Sequence, residues 1–181
     1  RSGNFSSIKV YVSMNEIEDI ELSGAASISF EGRYKASDLE VDLSGAASLN
    51  GLVVTANTLS ADCSGAASFN IEGVFKGDVE MELSGAVNGR FRGKGRDFDA
   101  ELSGACNLDG GLDFRHCVLD CSGASKAELA GKVERFTLEG SGACSIDAKD
   151  LNSENASATF ASSSRMWLDT MTVIPRSLLS L

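Results

Sequence analysis

One proline, one histidine and one tryptophan occur in 181 residues, and no stretch of eighteen apolar residues appears anywhere. A single proline leaves almost nothing to interrupt a hydrogen-bonded strand ladder. Without a long apolar run no helix of this chain spans a bilayer, and no continuous amphipathic helical stretch is present either. Bases are scarce beside acids: 16 Lys and Arg against 26 Asp and Glu give a net charge of −10. Such a surface disfavours nucleic acid and anionic membrane as partners. Gly-x-Ser-x-Gly is missing, and His116 is the only histidine to serve as a base, so the many serines do not read as hydrolase nucleophiles. No signal peptide is seen, but Arg1-Ser2-Gly3 reads as the start of a trimmed or mature chain, so its absence does not argue for the cytoplasm.

What is abundant is glycine, nineteen in all, and seven of these stand in Ser-Gly-Ala triplets at Gly24, Gly45, Gly65, Gly85, Gly104, Gly123 and Gly142. The steps between them are 21, 20, 20, 19, 19 and 19 residues, and Ala161-Ser162-Ser163 continues the series as a decayed copy. Twenty residues are too few for a helical hairpin, and each triplet follows alternating apolar and polar residues, as in Leu39-Glu40-Val41-Asp42-Leu43. Aligned on the serine, Leu22, Leu43, Cys63, Leu83, Leu102, Cys121, Gly140 and Phe160 form one inward column. Ile20, Val41, Ala61, Met81, Ala100, Leu119, Leu138 and Ala158 form another. After the glycine the alternation resumes with Ala26, Ala47, Ala67, Val87, Cys106, Ser125, Cys144 and Ser164, then Ile28, Leu49, Phe69, Gly89, Leu108, Ala127, Ile146 and Met166.

Apolar phase is thus carried across a corner where glycine takes positive φ at little cost. One coil cannot bury its own apolar face, whereas stacked coils bury a continuous core and pair each strand with its counterpart. The spacing predicts an all-β protein, a parallel β-helix of about eight coils, roughly 35 Å long at ~4.8 Å per coil. Propeller blades need about forty residues, and a sandwich has no reason to space Ser-Gly-Ala so evenly. The whole chain, 1–181, reads as one solenoid domain: 1–18 a cap or first strand, 19–168 the repeats, 169–181 a C-terminal cap. Met171 to Pro175 with Leu178, Leu179 and Leu181 make that tail apolar enough for a homo-oligomeric contact.

The column two residues before the serine is the most chemical feature: Glu21, Asp42, Asp62, Glu82, Glu101, Asp120, Glu139, then Thr159. Asp19, Glu40, Glu80 and Asp99 stand in the next outward column. Stacked in register these are like charges about 4.8 Å apart, which repel unless screened. They read as a solvated face that opposes aggregation, or as a face for a cation or ligand, with weak surface Ca²⁺ held by carboxylate oxygens. The Ca²⁺-binding nonapeptide is absent, and no other cofactor is indicated. Arg90-Phe91-Arg92-Gly93-Lys94-Gly95-Arg96 is a basic knot in an acidic chain. It falls where the inward column fails at Gly89, so it reads as a loop leaving the coil and a candidate docking site, with Phe91 able to stack on a sugar.

Five cysteines fall within the pattern and read as reduced, buried apolar residues. Cys106 and Cys144 share a column two coils apart, about 9.6 Å, beyond disulfide reach. A diagonal contact of Cys121 with Cys144 stays open. His116-Cys117 with Cys121 matches no strong metal-ligand spacing.

The repeated hydrophobic-acidic-hydrophobic-Ser-Gly-small corner, with spacers such as Phe30-Glu31-Gly32 and Ile71-Glu72-Gly73, resembles the putative auto-transporter adhesin head GIN domain of secreted and surface proteins of Bacteroidetes-type bacteria. The likeness covers residues 5 to 170. That family usually has Ser-Gly-Ser-Gly at the corner and ends its last coil in aromatic-glycine-proline; here the corner is Ser-Gly-Ala and the end runs Ser164-Arg165-Met166-Trp167-Leu168-Asp169. The resemblance implies a right-handed parallel β-helix, a cell-envelope or extracellular location, no catalytic residues, and a host or bacterial surface glycan or protein as partner. Three function classes follow: a noncatalytic binding module, a structural or oligomerising envelope module, and a polysaccharide lyase or hydrolase, for which the tight repeats leave little room for a catalytic cleft.

Overall fold

A computed structural model describes residues 12–167, all in strands, corners and connecting turns. The strands run in chain order as β1 (Asp19–Leu22), β2 (Ser27–Ser29), β3 (Tyr34–Lys35), β4 (Asp38–Leu43), β5 (Ser48–Ala56), β6 (Thr58–Cys63) and β7 (Ser68–Phe75). There follow β8 (Val79–Gly85), β9 (Asn88–Lys94), β10 (Asp97–Gly104), β11 (Asn107–Cys121), β12 (Lys126–Gly142), β13 (Ser145–Ser162) and β14 (Arg165–Trp167). Every pairing is parallel, and the coils stack as a β-solenoid of about seven turns. Two walls alternate along the chain. The first wall, entered after each Ser-Gly-Ala corner, stacks β2, β5, β7 and β9 and then the leading halves of β11, β12 and β13, with β14 last. The second wall, left at each corner, stacks β1, β4, β6, β8 and β10 and then the trailing halves of β11, β12 and β13.

Registers place the sequence columns directly over one another: Glu21, Asp42, Asp62, Glu82, Glu101, Asp120, Glu139 and Thr159 are successive partners. The corner is glycine for two reasons that act together. Gly104 has φ of +92°, and a methyl on it would sit 2.5 Å from the carbonyl oxygen of Gly85 in the coil beneath. That same carbonyl accepts a 2.7 Å hydrogen bond from the Ala105 amide, a contact repeated at each corner of the stack.

Between the walls lies one continuous core in which Val41, Leu49, Ile71, Val79, Leu119 and Ile146 are fully buried. Phenylalanine and glycine trade volume between coils. The Phe69 ring occupies the space a side chain on Gly89 would need, and Phe114 does the same at Gly95. Phe91, fully buried, stacks on Phe98 at 5.3 Å between ring centres and on Phe75 at 6.0 Å. Gly89 is therefore a filled place in the inward column, and the expected loop at Arg90–Arg96 is instead strand β9 and the bend after it.

Of the N-terminal segment expected to cap the stack, residues 1–11 lie outside the described residues; Ile17 joins the core and Glu16 bridges to Lys35. The expected C-terminal cap and its oligomeric contact, 169–181, also lie outside them.

Candidate functional site: the acidic second wall

Alternation sends every second residue of the second wall outward, and in that phase the repeat carries carboxylates. Asp62, Glu82, Glu101 and Glu139 are exposed, while Asp42 and Asp120 are half-buried. Asp62, Glu82, Glu101, Asp120 and Glu139, together with the corner serines Ser84, Ser103, Ser122 and Ser141, line a shallow groove of about 490 Å³ that runs across the coils. No lysine or arginine lines it, and among the described residues no ion pair involves any member of the column. Asp120 Oδ1 is shielded from solvent and has no hydrogen-bond partner. Desolvation, reinforced by the charges of Asp120, Glu101 and Glu80, raises the pKa of Asp99 above the ordinary carboxylate value. Among the described residues no group of three or more His, Cys, Asp or Glu side chains comes together as a metal site would require. The carboxylates form a line, one per coil, rather than a cage.

The first wall treats charge differently. Arg92 donates to Asp109 at 2.7 Å and Arg90 to its other oxygen at 3.1 Å. Lys94 pairs with Asp113 at 2.8 Å, and Arg96, in the bend, with Asp78 at 2.6 Å. Partial burial by itself would raise the pKa of Asp109, but the hydrogen bonds and charges of Arg92 and Arg90 outweigh it and hold the carboxyl below its usual range. The basic residues of the expected docking loop are thus matched across the coil step of 17 to 19 residues. Phe91, expected to meet a sugar, faces the core with no exposed surface. Cross-coil pairing was open to detection in the sequence as opposite charges in one outward column, Lys94 over Asp113 above all.

The remaining chemical groups are held in structural roles. Ser64 and Ser122 hydroxyls point to the carbonyls of Leu43 and Leu102 in the preceding coil. His116 in β11 pairs with its register partner Asp97 of β10 at 2.7 Å, both partly exposed, whereas Cys117 and Cys121 face the core. These three do not converge. All five cysteines are buried and free. Burial above all, aided by Asp62 and Asp42, pushes the Cys63 thiol up to about 12. Position two after the corner glycine accepts small polar groups because each donates to the backbone three residues earlier: Cys106 to Ser103 at 3.1 Å, Ser125 to Ser122 at 3.1 Å, Cys144 to Ser141 at 3.2 Å.

No helix long and apolar enough to cross a membrane occurs among the described residues. Neither a curated protein nor a solved structure matches this chain. A family model does, over residues 1–90 and again over 78–170, and its description is of an adhesin head, a surface-protein class. Repeated coils, glycine corners and that match together place the chain in the family described as putative auto-transporter adhesin, head GIN domain.

Proposed function

We propose that the protein is a noncatalytic binding module of the cell surface that holds an extended ligand along its acidic second wall. The observation that carries this reading is the row of seven stacked carboxylates, Glu21 to Glu139, without basic partners among the described residues and beside a groove that follows the stack. Self-repulsion along such a row costs stability, and a cationic ligand, or Ca²⁺ shared with an anionic one, would offset that cost. A saccharide chain suits the periodicity, since its own repeat can meet one carboxylate and one serine per coil. Each contact is shallow, so affinity accrues along the rigid face rather than in one pocket. The adhesin-head class of the family supports secretion or display outside the cell. The bonds made by the serines, with His116 turned to Asp97, favour binding over hydrolysis.

Incubation with a panel of host and bacterial glycans, with and without Ca²⁺, followed by sizing of the recovered material, tests this. Recovery of intact glycan is expected, and Ca²⁺ dependence would identify bridging by the wall. Shortened glycan, or no capture from any member of the panel, would overturn it.

A further inference from the structure

We propose that two copies of this chain pair end to end through the trailing half of β13, the last strand of the second wall. From Asn155 to Ser162 it reads Asn-Ala-Ser-Ala-Thr-Phe-Ala-Ser, with no charge and no proline. Every earlier strand of the wall carries at least one carboxylate, and the acidic column that runs up to Glu139 stops here at Thr159. Ala156, Ala158 and Phe160 take the inward phase above Phe136, Leu138 and Gly140, yet they are exposed where the residues beneath them are buried. The Phe160 ring, 37% exposed, fills the place that a side chain on Gly140 would need. At the same end Trp167 finishes the first wall, 43% exposed. β14 covers only Ser145 to Asp147 at the leading end of β13, and among the described residues no strand pairs with the far edge of its trailing half.

A bare edge offers its backbone groups to another strand, and sheets ordinarily guard such edges with charge. The opposite end of this wall is guarded, since β1 exposes Asp19 and Glu21. What is missing at the C-terminal end matches a partner with the same charge pattern. A second copy brings an acidic column of its own, and a carboxylate at position 159 would face the strand that carries its twin across one step of ~4.8 Å. With Thr159 in that place, the nearest carboxylates of the two columns, Glu139 in each copy, stand three strand steps or about 14 Å apart. That exceeds the ~8 Å screening length at physiological ionic strength. A two-fold axis normal to the second wall makes the β13 pair antiparallel, sets the open core of one copy against that of the other, and closes the assembly at two. Both acidic walls share one face in this dimer, but the inference does not rest on what binds there. A head-to-tail stack would instead set the bare edge against the acidic β1 and grow without limit.

Sedimentation of the full-length chain over a dilution series tests this, with emission from Trp167, the one tryptophan, followed in parallel. A dimer that dissociates on dilution is expected, with Trp167 emission moving to longer wavelength as it does. Thr159→Glu restores the carboxylate that the other coils carry, so it is expected to fold as wild type does and to weaken the dimer roughly tenfold, less at high salt. Val74→Glu adds the same charge at an exposed outward site of the first wall, several coils below this end, and is expected to leave the dimer unchanged. A protein that is monomeric at every concentration, as coverage of the edge by residues 168–181 would make it, overturns the inference. So does a dimer indifferent to Thr159→Glu, or a particle that keeps lengthening as concentration rises.

Discussion

The two walls come from one repeat and share one core, yet they handle charge in opposite ways. On the first wall Arg90 and Arg92 close on Asp109 and Lys94 on Asp113, so neighbouring coils attract. On the second wall successive coils present Asp62, Glu82, Glu101, Asp120 and Glu139, so neighbouring coils repel. Inward positions are set by packing, and both walls obey them alike. Outward positions are free of that constraint, and a repulsive column retained through seven coils is there at some cost to stability.

The largest effects come from breaking what the walls share. Gly104→Ala forces a methyl to 2.5 Å from the Gly85 carbonyl at φ +92°, and a loss of about 3 kcal/mol or more is expected in urea unfolding. Gly24→Ala, with φ +69° and nothing within 4 Å of the added methyl, isolates the backbone contribution and is expected to cost about 1–2 kcal/mol. Within the core of the first wall, Phe91→Ala should cost about 3–5 kcal/mol. The outward Val74→Ala, half exposed, should stay within about 0.5 kcal/mol of wild type by the same measurement.

Charge neutralisations sharpen the comparison at smaller amplitude. Glu82→Gln with Glu101→Gln is expected to raise stability at low salt by about 1 kcal/mol or less, and the gain should fade as salt screens the column. Asp109→Ala removes the shared partner of Arg90 and Arg92 and is expected to lower stability by a similarly small amount, since the pair is partly exposed. A loss of stability in the Glu82/Glu101 variant would contradict the repulsive column.

Acid should separate the walls as well. Asp99 has a raised folded pKa, so its ionisation opposes folding at neutral pH, and the folded state gains as pH falls through that value. Asp109 has a depressed folded pKa, so its contribution is present above the unfolded value and is lost as pH falls through the folded one. Stability measured against pH should therefore lose its gain on mild acidification in Asp99→Asn, and part of its loss in stronger acid in Asp109→Asn.

Much of this was legible in the sequence because a solenoid repeats its packing problem. The columns through Leu43 and Val41 are inward as far as Gly140 and Leu138 and open to solvent at Phe160 and Ala158 in the last coil, the acidic column is outward, and the Ser-Gly-Ala corners turn as positive-φ glycines. What escaped was compensation between coils. Gly89 looked like a broken column because the ring that fills its place, Phe69, stands twenty residues earlier. Reading a gap there turned β9 into a loop and put Phe91 on the surface. The second bend has no fixed residue, with Asn57, Gly77, Arg96 and Arg115 in turn, so its position followed only from the walls on either side. The groove along the acidic column was not legible either, because it is bounded by the corner serines as well as the carboxylates, and alternation along a strand does not determine how the corner sits against the wall.

The most direct measurement is capture of the panel's best glycan by two charge variants: Glu82→Gln, Glu101→Gln and Asp120→Asn together on the second wall, and Arg90→Gln with Arg92→Gln on the first. Loss of capture in the second-wall variant alone is the predicted result. Capture retained there, or lost only when the first wall is altered, would contradict the acidic wall as the binding face.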